Sequence, residues 1–154
     1  MDRFERFAVA VTEISYHVHR LMGEAMEQYG LRGINAIYLT VLNRTNGGIT
    51  ASQLGEYCCR DKADVSRAVS ALEQKGLIRK EESRYRAKLY LTEQGHQLAE
   101  WIGRVSRQAV SDAGKDISDQ ERAVLYAALD SIAQRLQSMS MDNLPEGKDE
   151  ETMV

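Results

Sequence analysis

The sequence predicts a mainly α-helical chain with a small β-wing, and three observations predict it. Its 154 residues contain one proline and eleven glycines. Against average usage of about 5% and 7% that leaves few breaks, which favours long helices over a many-stranded sandwich. Apolar residues recur at three- and four-residue steps in several long segments, the period of amphipathic helices. Residues 77–92 instead carry two short strand-like runs around a basic tip.

From Phe4 to about Tyr29, the residues Phe7, Val11, Ile14, Val18, Leu21, Met22 and Ala25 mark one face of a long helix, and Gly30 stops it. A second helix, Gly33 to Arg44, turns Ile34, Ile37, Tyr38, Val41 and Leu42 inward, after which Asn46-Gly47-Gly48 reverses the chain. Thr50-Ala51-Ser52-Gln53 is a capping box that opens a short helix through Leu54 and Tyr57. Asp61 caps a helix from Lys62 to about Lys75, with Val65, Ala68, Val69 and Leu72 on its apolar side and Gly76 at its end. Strands Leu77–Glu82 and Ala87–Thr92 flank Ser83-Arg84-Tyr85-Arg86; Leu89 and Leu91 face inward, Lys88 and Tyr90 outward. Thr92 begins a long helix through Trp101, Ile102, Val105 and Val110. Ser118-Asp119-Gln120-Glu121 opens a last one bearing Val124, Leu125, Ala128, Leu129, Ile132 and Leu136. Residues 142–154, with five acids and the proline, read as a disordered tail.

At 43% hydrophobic and 28% charged residues, the composition is that of a soluble globular protein of one domain, residues 1–141. No apolar run reaches the ~18–20 residues of a membrane span, and the N-terminus is charged where a signal peptide is apolar, so a cytoplasmic protein is expected. The only cysteines, Cys58 and Cys59, are adjacent and exclude a disulfide framework. The net charge of −3 hides an asymmetry: residues 31–92 hold eleven Lys/Arg against six Asp/Glu, a net +5, and the remainder carries −8. A basic middle between acidic ends points to a polyanionic partner, nucleic acid first.

Two short helices about three residues apart, followed by two strands, have the layout of a winged helix-turn-helix. In that layout the start of the second helix reaches base edges, which nominates Lys62, Ala63, Ser66 and Arg67, with Ser70 one turn on. Arg67 is the first choice, because a guanidinium bonds guanine O6 and N7 together or grips a phosphate. Arg84 and Arg86 suit the minor groove, and Thr50 and Ser52 stand where a helix start meets phosphate. Asp64, read as facing outward, either accepts from a cytosine amino group or caps the helix; capping is preferred.

Tyr29-Gly30-Leu31, Gly48 to Leu54, Asp61 to Val69, Leu72 to Ile78 and Arg86 to Gly95, in that order, resemble the MarR family of bacterial transcriptional regulators. The resemblance runs over roughly residues 4–140. It implies a homodimer held by residues 1–30 and 93–141, with 31–92 as the DNA-binding lobe on an inverted-repeat operator. It also implies a small phenolic or other aromatic effector that releases the DNA. Two departures stand out: Ser83 lies near the place of the family's wing acid, and Asp64 replaces a small neutral residue. An effector site between the dimer helices and the DNA-binding lobe would draw on Tyr16, His19, Tyr38 and Trp101.

The competing readings are a helical adaptor that keeps the fold without DNA binding, and a thiol redox sensor using Cys58 and Cys59. Packing is preferred for both cysteines, since buried cysteine behaves mainly as a small hydrophobe. His17 and His19 are two apart on a helix and His96 is distant, so neither a metal nor a cofactor is expected. No glycine-rich phosphate loop, H-E-x-x-H or nucleophile elbow occurs, and the chain does not read as an enzyme.

Overall fold

The chain alternates long helices with one small sheet: α1 (Arg3–Glu27), α2 (Ile34–Arg44), β1 (Ile49–Thr50), α3 (Ala51–Tyr57), α4 (Lys62–Gln74), β2 (Ile78–Lys80), β3 (Lys88–Leu91), α5 (Glu93–Ala113) and α6 (Asp119–Gln137). The computed structural model describes residues 2–46, 48–83 and 85–140. Arg84 and the proposed tail 142–154 lie outside the described residues. Two compact units divide the chain, Met1–Ala109 and Val110–Val154.

Local chemistry sets the helix ends. Asp2, Thr50 and Ser118 each close a full capping box, with Glu5, Gln53 and Glu121 reaching back. Asp61 accepts the Asp64 amide at 2.8 Å and starts α4. Gly30 and Gly76, at φ +64° and +67°, end α1 and α4 in the left-handed conformation. In each case the next amide, of Leu31 or Leu77, bonds back to Met26 or Leu72.

The sheet has the order β1-β3-β2, antiparallel throughout, with Ile49 opposite Leu89 and Ile78 opposite Leu91. The sequence reading expects two strands and the structure has three. At two residues, β1 is too short to show alternation, and only its pairing with β3 defines it. The other strands are also shorter than expected, although the Glu81 amide still bonds the Lys88 carbonyl and the Thr92 amide the Leu77 carbonyl just beyond their ends.

In the first unit the core gathers Met22, Met26, Tyr38, Leu39, Leu54, Val65, Leu72, Leu89, Leu98 and Ile102, among others. α2 buries Asn35, Ala36, Tyr38, Leu39 and Leu42, so it runs through the middle of this core, and Leu39 belongs to its inner set. At the start of α2 the chain presses on α1: a Cβ on Gly33 would stand 2.8 Å from the Gly23 backbone nitrogen and 2.9 Å from the His19 carbonyl oxygen. Gly95, at the start of α5, is tighter still, its Cβ position lying 2.0 Å from the Leu77 carbonyl oxygen.

α1 buries only Met22 and Met26, and its stripe of Phe7, Val11, Ile14, Val18 and Leu21 is exposed. In the second unit, Arg122 donates to the carbonyls of Gly114 and Ile117, at 2.9 and 3.3 Å, across the turn before α6. α6 has no buried residue; Val124, Leu125, Leu129, Ile132 and Leu136 are all exposed.

Candidate nucleic-acid interface

Helix α4 is two-faced. Val65, Ala68, Val69 and Leu72 are buried, while Lys62, Ala63, Ser66, Arg67 and Ser70 are exposed on the opposite side. A 3.6-residue period with apolar residues at steps of three and four leaves these small and basic side chains outside.

Two clefts adjoin that face. One, of about 730 Å³, lies between α3 and α4 and brings Ser52, Lys62, Ser66 and Ser70 together with Lys80 of β2. The other, of about 690 Å³, joins Thr50 and Ser52 at the start of α3 to Lys80, Arg86 and Lys88. Both are lined by Ser52, Glu56 and Lys80, so the start of α3, the α4 face and the base of the wing form one continuous surface. Lys80 also pairs with Glu73 at 2.8 Å. The sequence reading does not single out Lys80 or Lys88 as site residues: Lys80 ends β2 on the Ile78 face, opposite Leu89, and only the sheet brings it and Lys88 to α3.

At the wing, Arg86 adopts φ +51° and sets its guanidinium 5.4 Å from the Tyr85 ring centroid, while Arg79 lies 4.7 Å over Tyr90. Thr50 and Gln53 are engaged in their capping box, with the Gln53 amide donating to the Thr50 hydroxyl at 3.3 Å.

Asp64 corrects the sequence reading. The cap of α4 is Asp61, and Asp64 instead accepts from the Arg67 guanidinium. Nor does Asp64 face fully outward. One residue before buried Val65, it sits on the flank of the apolar stripe, with its side chain 29% exposed. It turns toward a cavity of about 250 Å³ lined by His19, Arg32, Gly33, Ile34, Tyr38 and Arg60. The hydrogen bond from Arg67 holds the Asp64 carboxyl below the usual carboxylate range. The charges of Arg67, Arg32 and Arg60 add to this against a smaller opposing effect of desolvation.

Of the four residues proposed for an effector, the structure brings His19 and Tyr38 into that one cavity. Trp101 lies in another, of about 430 Å³, edge-on to Tyr29 at 6.2 Å. Tyr16 is exposed and meets His17 edge-on. In the shared cavity, Tyr38 is fully buried, and desolvation raises its phenol above the ordinary value. Arg32 and Arg60 escape the sequence reading because they flank different helices.

The cysteines divide. Cys58 packs against the core, and desolvation first, then the neighbouring Cys59, push its thiol up. Cys59 is exposed at φ +50°, so the packing reading describes only Cys58. His96 Nδ1 lies 3.0 Å from Asn43 Oδ1, and His19 Nδ1 lies 2.7 Å from the Ser15 carbonyl oxygen. Among the described residues, no helix is long and apolar enough to cross a membrane.

A MarR family model matches residues 29–87. No curated protein matches the chain. Among solved structures, the fold is similar to that of a MarR transcriptional regulator from Methanosarcina mazei Go1, at TM-score 0.82 and 21% identity over 90% of this chain and 100% of that one. It is also similar to a putative MarR family regulator from Listeria monocytogenes complexed with 26mer DNA, at TM-score 0.75 and 26% identity over 88% and 89%. A third is the S. aureus MepR-DNA complex, at TM-score 0.75 and 21% identity over 85% and 98%. The winged helix-turn-helix segment of this chain thus matches a MarR family model, and the fold around it is similar to that of MarR family structures.

Proposed function

We propose that this protein is a sequence-specific DNA-binding transcriptional regulator. It acts as a homodimer on an inverted-repeat operator and as a repressor that a small effector releases. The observation that carries the reading is the α4 face: Lys62, Ala63, Ser66, Arg67 and Ser70 exposed together, beside a continuous surface with Ser52, Lys80, Arg86 and Lys88. Small side chains let the helix approach base edges, and the surrounding cations neutralise phosphates. Two structurally similar regulators, from Listeria monocytogenes and S. aureus, were solved with DNA.

The dimer reading is supported by the apolar stripes of α1 and α6, each left exposed, since monomers rarely expose large contiguous apolar patches. A two-fold dimer sets two recognition helices in major grooves about 34–36 Å apart. The effector reading is supported by the cavity that His19 and Tyr38 share.

The test is selection from a random duplex library by the purified protein at physiological salt. Enrichment of an inverted repeat with half-sites about one helical turn apart, and affinity that falls steeply with salt, are the expected results. No enrichment from a protein shown to be dimeric would turn the reading to a protein-binding adaptor.

A further inference from the structure

Arg67 reaches outward from a fixed support. It stands one turn after Asp64 on α4, and a single nitrogen of its guanidinium, Nη2, donates to Asp64 Oδ1. The Asp64 amide in turn bonds the Asp61 carboxylate at 2.8 Å, which fixes the backbone of that first turn. The Asp64 side chain is half-buried, and the charges of Arg32 and Arg60 join that of Arg67 in keeping it ionised. Arg67 itself is exposed, with only the small side chains of Ala63, Ser66 and Ser70 beside it on the outer face.

A guanidinium carries five N–H groups in a planar fork. One bond to Nη2 leaves that nitrogen a second hydrogen, which makes a complete two-donor edge with Nη1 or with Nε, on whichever side the carboxylate does not take. Among the described residues, Asp64 is the only partner of the Arg67 side chain. The free edge matches the O6 and N7 acceptors of guanine. Charge acts in the same direction. Phosphate is bound through net positive charge, and a guanidinium beside a carboxylate carries little of it, whereas its free N–H groups still donate to a base.

We infer that Asp64 is a positioning residue for base readout: it holds one nitrogen of Arg67, offsets its charge, and so directs the remaining edge to a guanine instead of to phosphate. This role rests on the DNA-binding reading above. An arginine held before contact also has less freedom to lose on binding.

The test uses full-length protein, a duplex recovered by the library selection, and a panel of duplexes in which each base pair of one half-site is replaced in turn, with affinity read by anisotropy. Arg67→Ala marks the guanine, as the position where replacement costs the unaltered protein about fivefold to a hundredfold and the variant less than about twofold. At that position Asp64→Ala is expected to keep at most about a third of the unaltered protein's discrimination. Its binding to unselected duplex is expected to strengthen and to fall more steeply with salt, by about one further phosphate per chain. Added to Arg67→Ala, the same change should alter no base preference by more than about twofold. Asp64→Ser makes the same test should alanine disturb the start of α4.

If both Asp64 variants keep the full guanine discrimination, or if Asp64→Ala shifts base preferences even without Arg67, the positioning role is wrong while the DNA-binding reading stands. If Arg67→Ala leaves every base preference intact, Arg67 reads no base and the role of Asp64 falls, again without touching the DNA-binding reading. If the selection yields no duplex, the DNA-binding reading is the one that failed, and the positioning role falls with it.

Discussion

The Thr92 hydroxyl donates to the Gly76 carbonyl at 2.6 Å and accepts the Gly95 amide at 3.1 Å. One side chain thereby joins the glycine that ends α4 to the first turn of α5. Alongside it the Thr92 amide bonds the Leu77 carbonyl at 3.0 Å. Thr92→Val keeps the shape and removes both hydroxyl bonds. Loss of a helix cap costs about 0.5–2 kcal/mol, so chemical denaturation should show a drop in that range. No change would mean that water replaces the hydroxyl at this junction.

Gly95→Ala tests packing against propensity. Inside a helix alanine is favoured over glycine by about 0.8–1.0 kcal/mol. Here the added Cβ would fall 2.0 Å from the Leu77 carbonyl oxygen, a backbone atom that cannot swing aside. Overpacking of this kind costs about 1–3 kcal/mol or more, so the variant should melt lower. A melting temperature at or above that of the unaltered protein would show that α5 and β2 separate more readily than this contact implies.

Arg67→Ala should weaken operator binding by about 1–3 kcal/mol, roughly fivefold to more than a hundredfold, if its guanidinium reads a guanine. The side chain is 62% exposed, so the dimer and its melting temperature should barely change. Titrating both proteins on the selected duplex checks this. Equal affinity would leave Arg67 a surface residue paired with its neighbour.

The acid limb of stability should carry the mark of Asp64. Its carboxyl is held low in the folded chain, chiefly by Arg67, so its stabilising contribution is present above the unfolded-state pKa. That contribution is lost as pH falls through the folded value. The stability difference between the unaltered protein and Asp64→Asn should stay constant from neutrality to about pH 5 and shrink below about pH 4. Denaturation midpoints across that range measure it. A difference unchanged down to the acid transition would mean that the pair does not stabilise the fold.

The two thiols should react differently. Cys59 is exposed and Cys58 packs against the core with its thiol pushed up by burial. Iodoacetamide on the native protein should give one adduct, at Cys59, and a second only after unfolding. Peptide mass mapping distinguishes them. Rapid double labelling of the folded chain would contradict the burial of Cys58. The Cys58→Ser, Cys59→Ser double variant is expected to keep its response to an effector, and loss of that response would revive the redox-sensor reading.

Much of this protein is written in short-range signals. Thr50, Asp61 and Ser118 announce helix starts because the bonds they make close within three residues, and Gly30 and Gly76 announce stops because only the left-handed conformation completes the turn there. The outward set Lys62, Ala63, Ser66, Arg67 and Ser70 follows from the spacing of Val65, Ala68, Val69 and Leu72, since helical period alone assigns the faces. Packing between distant segments decides what no local pattern contains. β1 exists because Ile49 meets Leu89, Lys80 joins the α3 cleft because the sheet carries it there, and Asp64 faces His19 and Tyr38 because α1 and α2 close beside α4. Sequence periodicity orients a side chain about its own helix axis. Which groups stand opposite, and so which charges a carboxylate feels, depends on how the helices pack.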